Sequence, residues 1–265
     1  RLVGFSGDDV LRGRQGADFL DGRDGIDIAT YSSSSVGVHV DLAMGRGFGG
    51  DAEGDQLVSI ENVNGSTFDD VLEGDTGANH LIGFSGNDIL RGRGGADILD
   101  GRDGIDIATY STSSIGVRVD LASGRGFGGD AEGDQLVAIE NVNGSTFDDV
   151  LEGDAGANHL IGFAGNDILR GRGGADILDG RHGIDIATYS TSDVGVRVDL
   201  ALGQGFIGEA DADRLISIEN VNGSNFDDVL DGDANANHLI GFSGNDILSG
   251  RDGDDILDGR YGNDI

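Results

Sequence analysis

A glycine returns every nine residues through most of this chain, and that spacing constrains the fold more than any other feature. The run Gly83-Phe84-Ser85-Gly86-Asn87-Asp88-Ile89-Leu90-Arg91 is followed by a second nonapeptide from Gly92 to Asp100 and a third from Gly101 to Thr109. A period of 79 residues lies over the short one: Leu2-Val3-Gly4-Phe5 returns as Leu81-Ile82-Gly83-Phe84 and again from Leu160 and Leu239. Self-similarity of this kind marks a stack of small units, none of which can bury its apolar face alone. Nonapeptide blocks occupy residues 4–30, 65–109, 144–188 and 223–265, and inserts of 34 residues at 31–64, 110–143 and 189–222 separate them.

Each nonapeptide reads Gly-x-x-Gly-x-Asp-x-Leu-x, a six-residue turn followed by a three-residue strand. In such a strand the eighth side chain points one way and its neighbours the other. The eighth position is apolar almost throughout, as at Leu11, Leu20, Leu72, Leu81, Leu90, Leu99, Leu151, Leu160, Leu169 and Leu178. Helix is excluded, because each glycine in a helix costs about 1 kcal/mol relative to alanine. Three-residue strands are stable only when stacked. The chain is therefore expected to be all-β: a continuous solenoid over 1–265, a parallel β-roll or β-helix with two nonapeptides per turn and layers about 4.8 Å apart.

One leucine per strand makes a narrow core, and composition offers little to widen it. The 265 residues include 50 Gly, no Pro, Cys or Trp, and 6% aromatics. Seventeen basic residues against 49 acidic ones leave a formal charge of −32, a self-repulsion that opposes any compact state unless cations offset it. Without cysteine there are neither disulfides nor thiolate metal sites, so oxygen-ligand sites for hard cations remain. A phosphate backbone needs a basic footprint, so nucleic acid is not an expected partner. No segment approaches the roughly 18 apolar residues of a membrane helix, and membrane insertion is not expected. Both ends fall inside a repeat, so the chain is expected to be an excerpt of a longer protein.

The nonapeptide pattern resembles the RTX (repeat-in-toxin) haemolysin-type calcium-binding repeat, whose signature is Gly-Gly-x-Gly-x-Asp. The resemblance covers about two thirds of the chain. It departs at the second glycine, replaced here by Phe5, Arg14, Arg23, Arg93, Arg102 and Asp75, so the loop backbone is expected to differ in detail. It implies Ca²⁺ between stacked loops, bound by the sixth-position residues Asp9, Asp18, Asp27, Asp70, Asn79, Asp88, Asp97, Asp106, Asp149, Asn158, Asp167, Asp176, Asp185, Asp228, Asn237, Asp246, Asp255 and Asp264. Successive nonapeptides lie on opposite sides of the coil, so residues 18 apart share a rung: Asp9 with Asp27; Asp70 with Asp88, Asn79 with Asp97, Asp88 with Asp106; and likewise in the two later blocks. With the family geometry this makes about ten Ca²⁺ ions, offsetting about twenty of the excess charges. The alternative is that these Asp side chains only brace Gly turns.

The inserts open on alternation, Val36-Gly37-Val38-His39-Val40-Asp41-Leu42, and close on Leu57-Val58-Ser59-Ile60-Glu61-Asn62-Val63. The closing segment resembles the one that introduces the calcium repeats of serralysin-type secreted proteases. Both strands are expected to continue the coil with a wider cross-section, with Phe48, Phe127 and Phe206 adding core volume. Asp51, Glu53 and Asp55 make either a further calcium site or a solvated acidic loop. Gly45-Arg46-Gly47-Phe48-Gly49-Gly50 matches a dinucleotide fingerprint in form only, since no helix is expected after it and carboxylates would repel a pyrophosphate. His80, His159 and His238 are expected at the surface. Arg12, Arg14, Arg91, Arg93, Arg170 and Arg172 are expected to be able to form a surface ladder against Asp21, Asp100 and Asp179.

No nucleophile, metalloprotease or Walker motif occurs, so no enzyme activity is expected. The expected function is calcium-triggered folding of a secreted or cell-surface bacterial protein exported through a type I channel, serving as spacer, adhesin stalk, surface layer or filament. Two alternatives are the repeat tail of a secreted protease, lipase or alginate epimerase, and a polysaccharide-binding module. Besides Ca²⁺, the partners this leaves are further copies of the chain or a surface polysaccharide.

Overall fold

The computed structural model describes all residues from Arg1 to Ile265. It is built from short strands, most of them three residues long, with one turn of 3-10 helix in each insert, such as Gly50–Ala52. That single turn follows the Gly45–Gly50 run, where no helix was expected, and it is too short to present an anion site.

The chain forms two compact units, Arg1–Ser113 with Gly124–Asn141, and Ser114–Ser123 with Val142–Ile265. In the first unit one sheet orders strands Leu2–Ser6, Phe19–Asp24, Gln56–Val58, Arg46–Phe48, His39–Asp41, Val71–Glu73, Ile89–Arg91 and Ile107–Thr109. The facing sheet takes the intervening strands, among them Ile28–Thr30, Asn62–Asn64, His80–Ser85 and Ile98–Asp103. The second unit repeats the arrangement, with Val150–Glu152, Ile168–Arg170, Ile186–Thr188 and Asn220–Asn222 in one sheet and His159–Ile161, Ile177–Asp179 and Arg214–Ile216 in the other. Consecutive nonapeptides alternate between sheets, as two per turn requires.

Within a block the parallel register is 18 residues, as in Leu72 beside Leu90 and Leu81 beside Leu99. Across an insert it lengthens without losing the inward column: Leu20 meets Leu57, Ala29 meets Val63 and Val40 meets Leu72. The insert thus spends its extra residues on one antiparallel excursion, in which Arg46–Phe48 pairs with His39–Asp41 and Arg46 with Gln56. The eighth-position leucines Leu72, Leu81, Leu90, Leu99, Leu151, Leu160, Leu169 and Leu178 are fully buried.

The insert core is not built from the expected phenylalanines. Phe48 and Phe127 are 41% and 45% exposed, and Arg197 stacks on the Phe206 ring at 5.1 Å. They sit on the outward positions of the excursion strand, whose inward residue is a glycine, Gly47 or its counterparts. Tyr31, Tyr110 and Tyr189 fill the space instead, each fully buried. The histidines also differ from expectation. His80 is half-buried in its sheet beside Ile98 and Asn62, with its Nε2 enclosed and unpartnered.

The arginines reach other carboxylates than the expected ones. Arg93 contacts both Asp41 and Glu73 at 2.9 Å, and Arg91 contacts Glu73 at 2.7 Å. Asp100 is paired by Arg102 and Asp179 by Arg181, each at 2.7 Å. The Arg93–Asp41 pair ties the first strand of an insert to the block that follows it.

Core and rim residues should separate in stability. In saturating calcium, Leu90→Ala is expected to cost about 2–5 kcal/mol of unfolding free energy, the range for a fully buried leucine. Phe127→Ala should cost less than about 1 kcal/mol, because its ring already faces solvent. Urea unfolding followed by circular dichroism distinguishes the two.

Candidate metal centre

Every stacked pair of sixth-position residues is joined by the same bond. The backbone N–H of the earlier residue donates to Oδ1 of the Asp 18 positions later: Asp9 to Asp27, Asp70 to Asp88 and Asn79 to Asp97 at 2.8 Å, Asp88 to Asp106 at 2.7 Å. Asp149 to Asp167, Asn158 to Asp176 and Asp167 to Asp185 follow at 2.8 Å. Asp228 to Asp246 and Asn237 to Asp255 follow at 2.9 Å, and Asp246 to Asp264 at 3.1 Å. All ten rungs read from the spacing are therefore present as stacked pairs.

The second carboxylate oxygen has no such partner. Oδ2 of Asp9, Asp27, Asp88, Asp97, Asp106, Asp167, Asp176, Asp185 and Asp246 is buried and accepts no hydrogen bond. Each of these atoms points at the first glycine of its own loop, where a Cβ would overlap it: Gly83 at Asp88, Gly92 at Asp97, Gly4 at Asp9. A carbonyl from the next layer converges on the same space, Gly22 O at Gly4, Ser59 O at Gly22 and Ala138 O at Gly101. Glycine is required there because any side chain would fill the cradle.

A buried carboxylate oxygen without a partner is costly, by several kcal/mol if it stays charged. Burial pushes the Asp88 and Asp167 carboxyls up to about 7, and those of Asp97, Asp106 and Asp176 up to about 6. Neighbouring carboxylates add to the rise, and the backbone N–H bonds to Oδ1 oppose it. Nowhere do three or more His, Asp or Glu side chains gather into a cage. The donor set is one carboxylate oxygen with backbone carbonyls, hard oxygens throughout, which fits Ca²⁺ and excludes metals that need imidazole or thiolate.

The eighteen sixth-position residues do not form one class. Asp70 is fully satisfied, its Oδ2 accepting the Ser66 N–H at 2.5 Å and its Oδ1 the Ser66 hydroxyl at 2.9 Å and the Val38 N–H at 2.7 Å. Asp149 and Asp228 repeat this with Ser145 and Ser224. In the next loop Asn79 Oδ1 accepts the Asp75 N–H and its Nδ2 donates to the Glu61 carbonyl, both at 2.8 Å. The backbone expectation is corrected accordingly. Phe84, Arg93 and Arg102 keep the left-handed conformation of the glycine they replace, with φ of 78°, 66° and 75°, whereas Ser66 and Asp75 leave it.

The ladder also runs into the inserts, through Glu residues to which no role was given from sequence and through Asp55 and its counterparts, whose acidic segment was read as either a calcium site or a solvated loop. Asp27 N–H donates to Glu61 Oε2 at 2.8 Å, as Asp106 does to Glu140 and Asp185 to Glu219. Asp18 donates to Asp55 at 2.7 Å, and Asp97 to Asp134 and Asp176 to Asp213 at 2.9 Å. The recurrence of Glu and Asp at fixed distance from the insert's end was the available signal. At these Asp rungs the other oxygen is taken: the hydroxyls of Tyr31, Tyr110 and Tyr189 donate to Oδ2 at 3.2, 3.1 and 3.1 Å. Asp51 accepts the Ser33 hydroxyl and Glu53 the Gly49 N–H, so Asp51, Glu53 and Asp55 are occupied separately rather than together.

A pH dependence of defined sign follows. The ordinary aspartate value is 3.8, and the carboxyls of Asp88 and Asp167 lie at about 7 and those of Asp97, Asp106 and Asp176 at about 6, so the folded form holds protons that the unfolded chain has released. In calcium-free buffer this contribution to stability is full below the ordinary aspartate value of 3.8, declines as pH rises and is gone above about 7. Far-UV circular dichroism in chelator is expected to gain β signal on acidification from pH 7.5 to about 5. An unchanged or weaker signal would contradict it.

A search among curated proteins finds no match. The RTX calcium-binding nonapeptide repeat matches residues 1–29, 64–99, 75–108, 143–186, 218–241 and 240–265, leaving most of each insert outside. These segments carry the stacked loops and their orphaned carboxylates over more than half of the sequence, and on that basis the chain belongs to the RTX calcium-binding repeat family.

Proposed function

We propose that this chain is a calcium-triggered folding module of a secreted or cell-surface protein, with no catalytic role of its own. The observation that carries the reading is the column of buried, unpartnered Asp Oδ2 atoms, each facing the first glycine of its own loop, with a carbonyl of the next layer converging at Gly4, Gly22, Gly101 and Gly180. Without a cation these groups, the formal charge of −32 and the ordering entropy of 50 glycines all oppose folding. With it, ion binding becomes folding free energy.

Extracellular modules bind Ca²⁺ at about 10⁻⁴–10⁻³ M, above cytosolic levels, so the chain would stay unfolded inside the cell and fold outside. That behaviour suits export through a type I channel and needs no cysteine. No helix of the chain is long and apolar enough to cross a membrane. Near-identical 79-residue units, each able to stack on the next, suit a spacer or stalk, in which length rather than a binding pocket is the product.

The test is far-UV circular dichroism of the purified chain through a calcium titration to about 10 mM, with Mg²⁺ as control. A cooperative coil-to-β transition with Ca²⁺ and none with Mg²⁺ is expected. Full β structure in chelator at pH 7.5 would sink the reading.

A further inference from the structure

Two kinds of loop alternate along the chain in a fixed order, and backbone and hydrogen bonding separate them in the same way. In the third, fourth and fifth loops of a block the second and fourth residues are both left-handed, as at Phe84 (φ 78°) and Gly86 (φ 123°), Arg93 (66°) and Gly95 (134°), Arg102 (75°) and Gly104 (159°). Placing Phe or Arg there costs of order 1 kcal/mol each. In the first two loops neither residue is left-handed, which is why Phe68 and Asn235 can stand where the fourth glycine belongs.

The second residue of the closed loops is always Ser or Asp: Ser66, Asp75, Ser145, Asp154, Ser224 and Asp233. Each turns its backbone N–H onto the sixth-position side chain of its own loop at 2.5–2.8 Å. Asp75 also closes a turn onto the Gly77 N–H at 2.7 Å, and Asp154 and Asp233 do the same one and two units later. The second closed loop carries a neutral amide, Asn79, Asn158 or Asn237, where the open loops carry Asp. In Asn237, as in Asn79, the amide nitrogen is directed at a carbonyl of the layer before, the Glu219 oxygen at 2.9 Å. A donor aimed there leaves no room for a cation on that side.

We propose that each block is divided into a metal-independent pair of loops next to the insert and a metal-requiring triplet beyond it. The residue at the second position selects the class: Ser or Asp closes the loop on itself, and Phe or Arg opens it for Ca²⁺. The proposal rests on the calcium reading above and reassigns it within each block. Asp70, Asn79, Asp149, Asn158, Asp228 and Asn237 brace turns, and the ion-holding oxygens belong to Asp88, Asp97, Asp106 and their counterparts. The insert preceding each pair is closed in the same sense, with Tyr31, Tyr110 and Tyr189 occupying the Asp oxygens that an ion would otherwise take. Insert and closed pair together form a stretch whose buried carboxylates and amides are satisfied without metal, and onto which the triplet stacks.

Native mass spectrometry of the whole chain in saturating Ca²⁺ counts the ions directly. The triple variant Asp88→Asn, Asp167→Asn, Asp246→Asn is expected to bind three fewer ions than the parent. The triple variant Asp70→Asn, Asp149→Asn, Asp228→Asn, one layer away in the same column, is expected to bind the parent number. Adding carboxylates at the closed amides, by Asn79→Asp, Asn158→Asp, Asn237→Asp, should add no ion, and this variant does not depend on tolerating a lost acceptor. Loss of three ions in the second variant, or gain of three in the third, would overturn the division while leaving the calcium reading intact. A parent chain that binds no Ca²⁺ would remove both.

Discussion

The arrangement depends on a carboxylate oxygen taken out of water at nine of the open loops and given no protein donor. Leaving such an atom charged and unpaired costs several kcal/mol, and repeating it nine times is incompatible with a stable fold unless something else binds there. Oδ1 is held by the N–H of the preceding layer, which fixes the direction of Oδ2 toward the glycine cradle. The fold thus orders its ligand atoms by backbone hydrogen bonding and leaves their charge to be met by a cation. The upward displacement of the Asp88 carboxyl to about 7, and of the Asp97 and Asp106 carboxyls to about 6, is the same imbalance expressed as proton affinity.

The rest of the molecule is consistent with that constraint. The Leu column is one residue wide and cannot by itself outweigh the ordering of so many glycines. Each insert adds what a nonapeptide cannot: a fully buried tyrosine, an antiparallel excursion and a link in the ladder through Glu61, Glu140 or Glu219. The Arg93 contacts to Asp41 and Glu73 then fasten insert to block. Such partly exposed pairs add modestly to stability, so their main effect is on register.

Much of this was legible in the sequence. A nine-residue glycine period with an apolar eighth position admits few backbones, and the 18-residue register placed all ten stacked pairs. What was not legible follows from how side chains share space. Phe48 reads as core by hydrophobicity, yet it alternates with Gly47, and the inward place goes to the glycine; Tyr31, which precedes the excursion, takes the volume because its hydroxyl also meets Asp55. Glu61 carries no glycine signature, so nothing local marked it as a rung. The difference between open and closed loops lies at the second position, where replacement of glycine looked like a single departure. Phe84 and Arg93 preserve the left-handed backbone and Ser66 and Asp75 abandon it, a distinction visible only once φ is known.

The most direct test of the account is a crystal structure of the chain grown in calcium, with anomalous scattering used to locate the ions. The account predicts a peak against Oδ2 of Asp88, Asp97 and Asp106, each about 2.3–2.6 Å from that oxygen and from carbonyls of the adjoining layer. Folded chains whose Oδ2 atoms face only ordered water or one another, with no peak in the cradle, would contradict it.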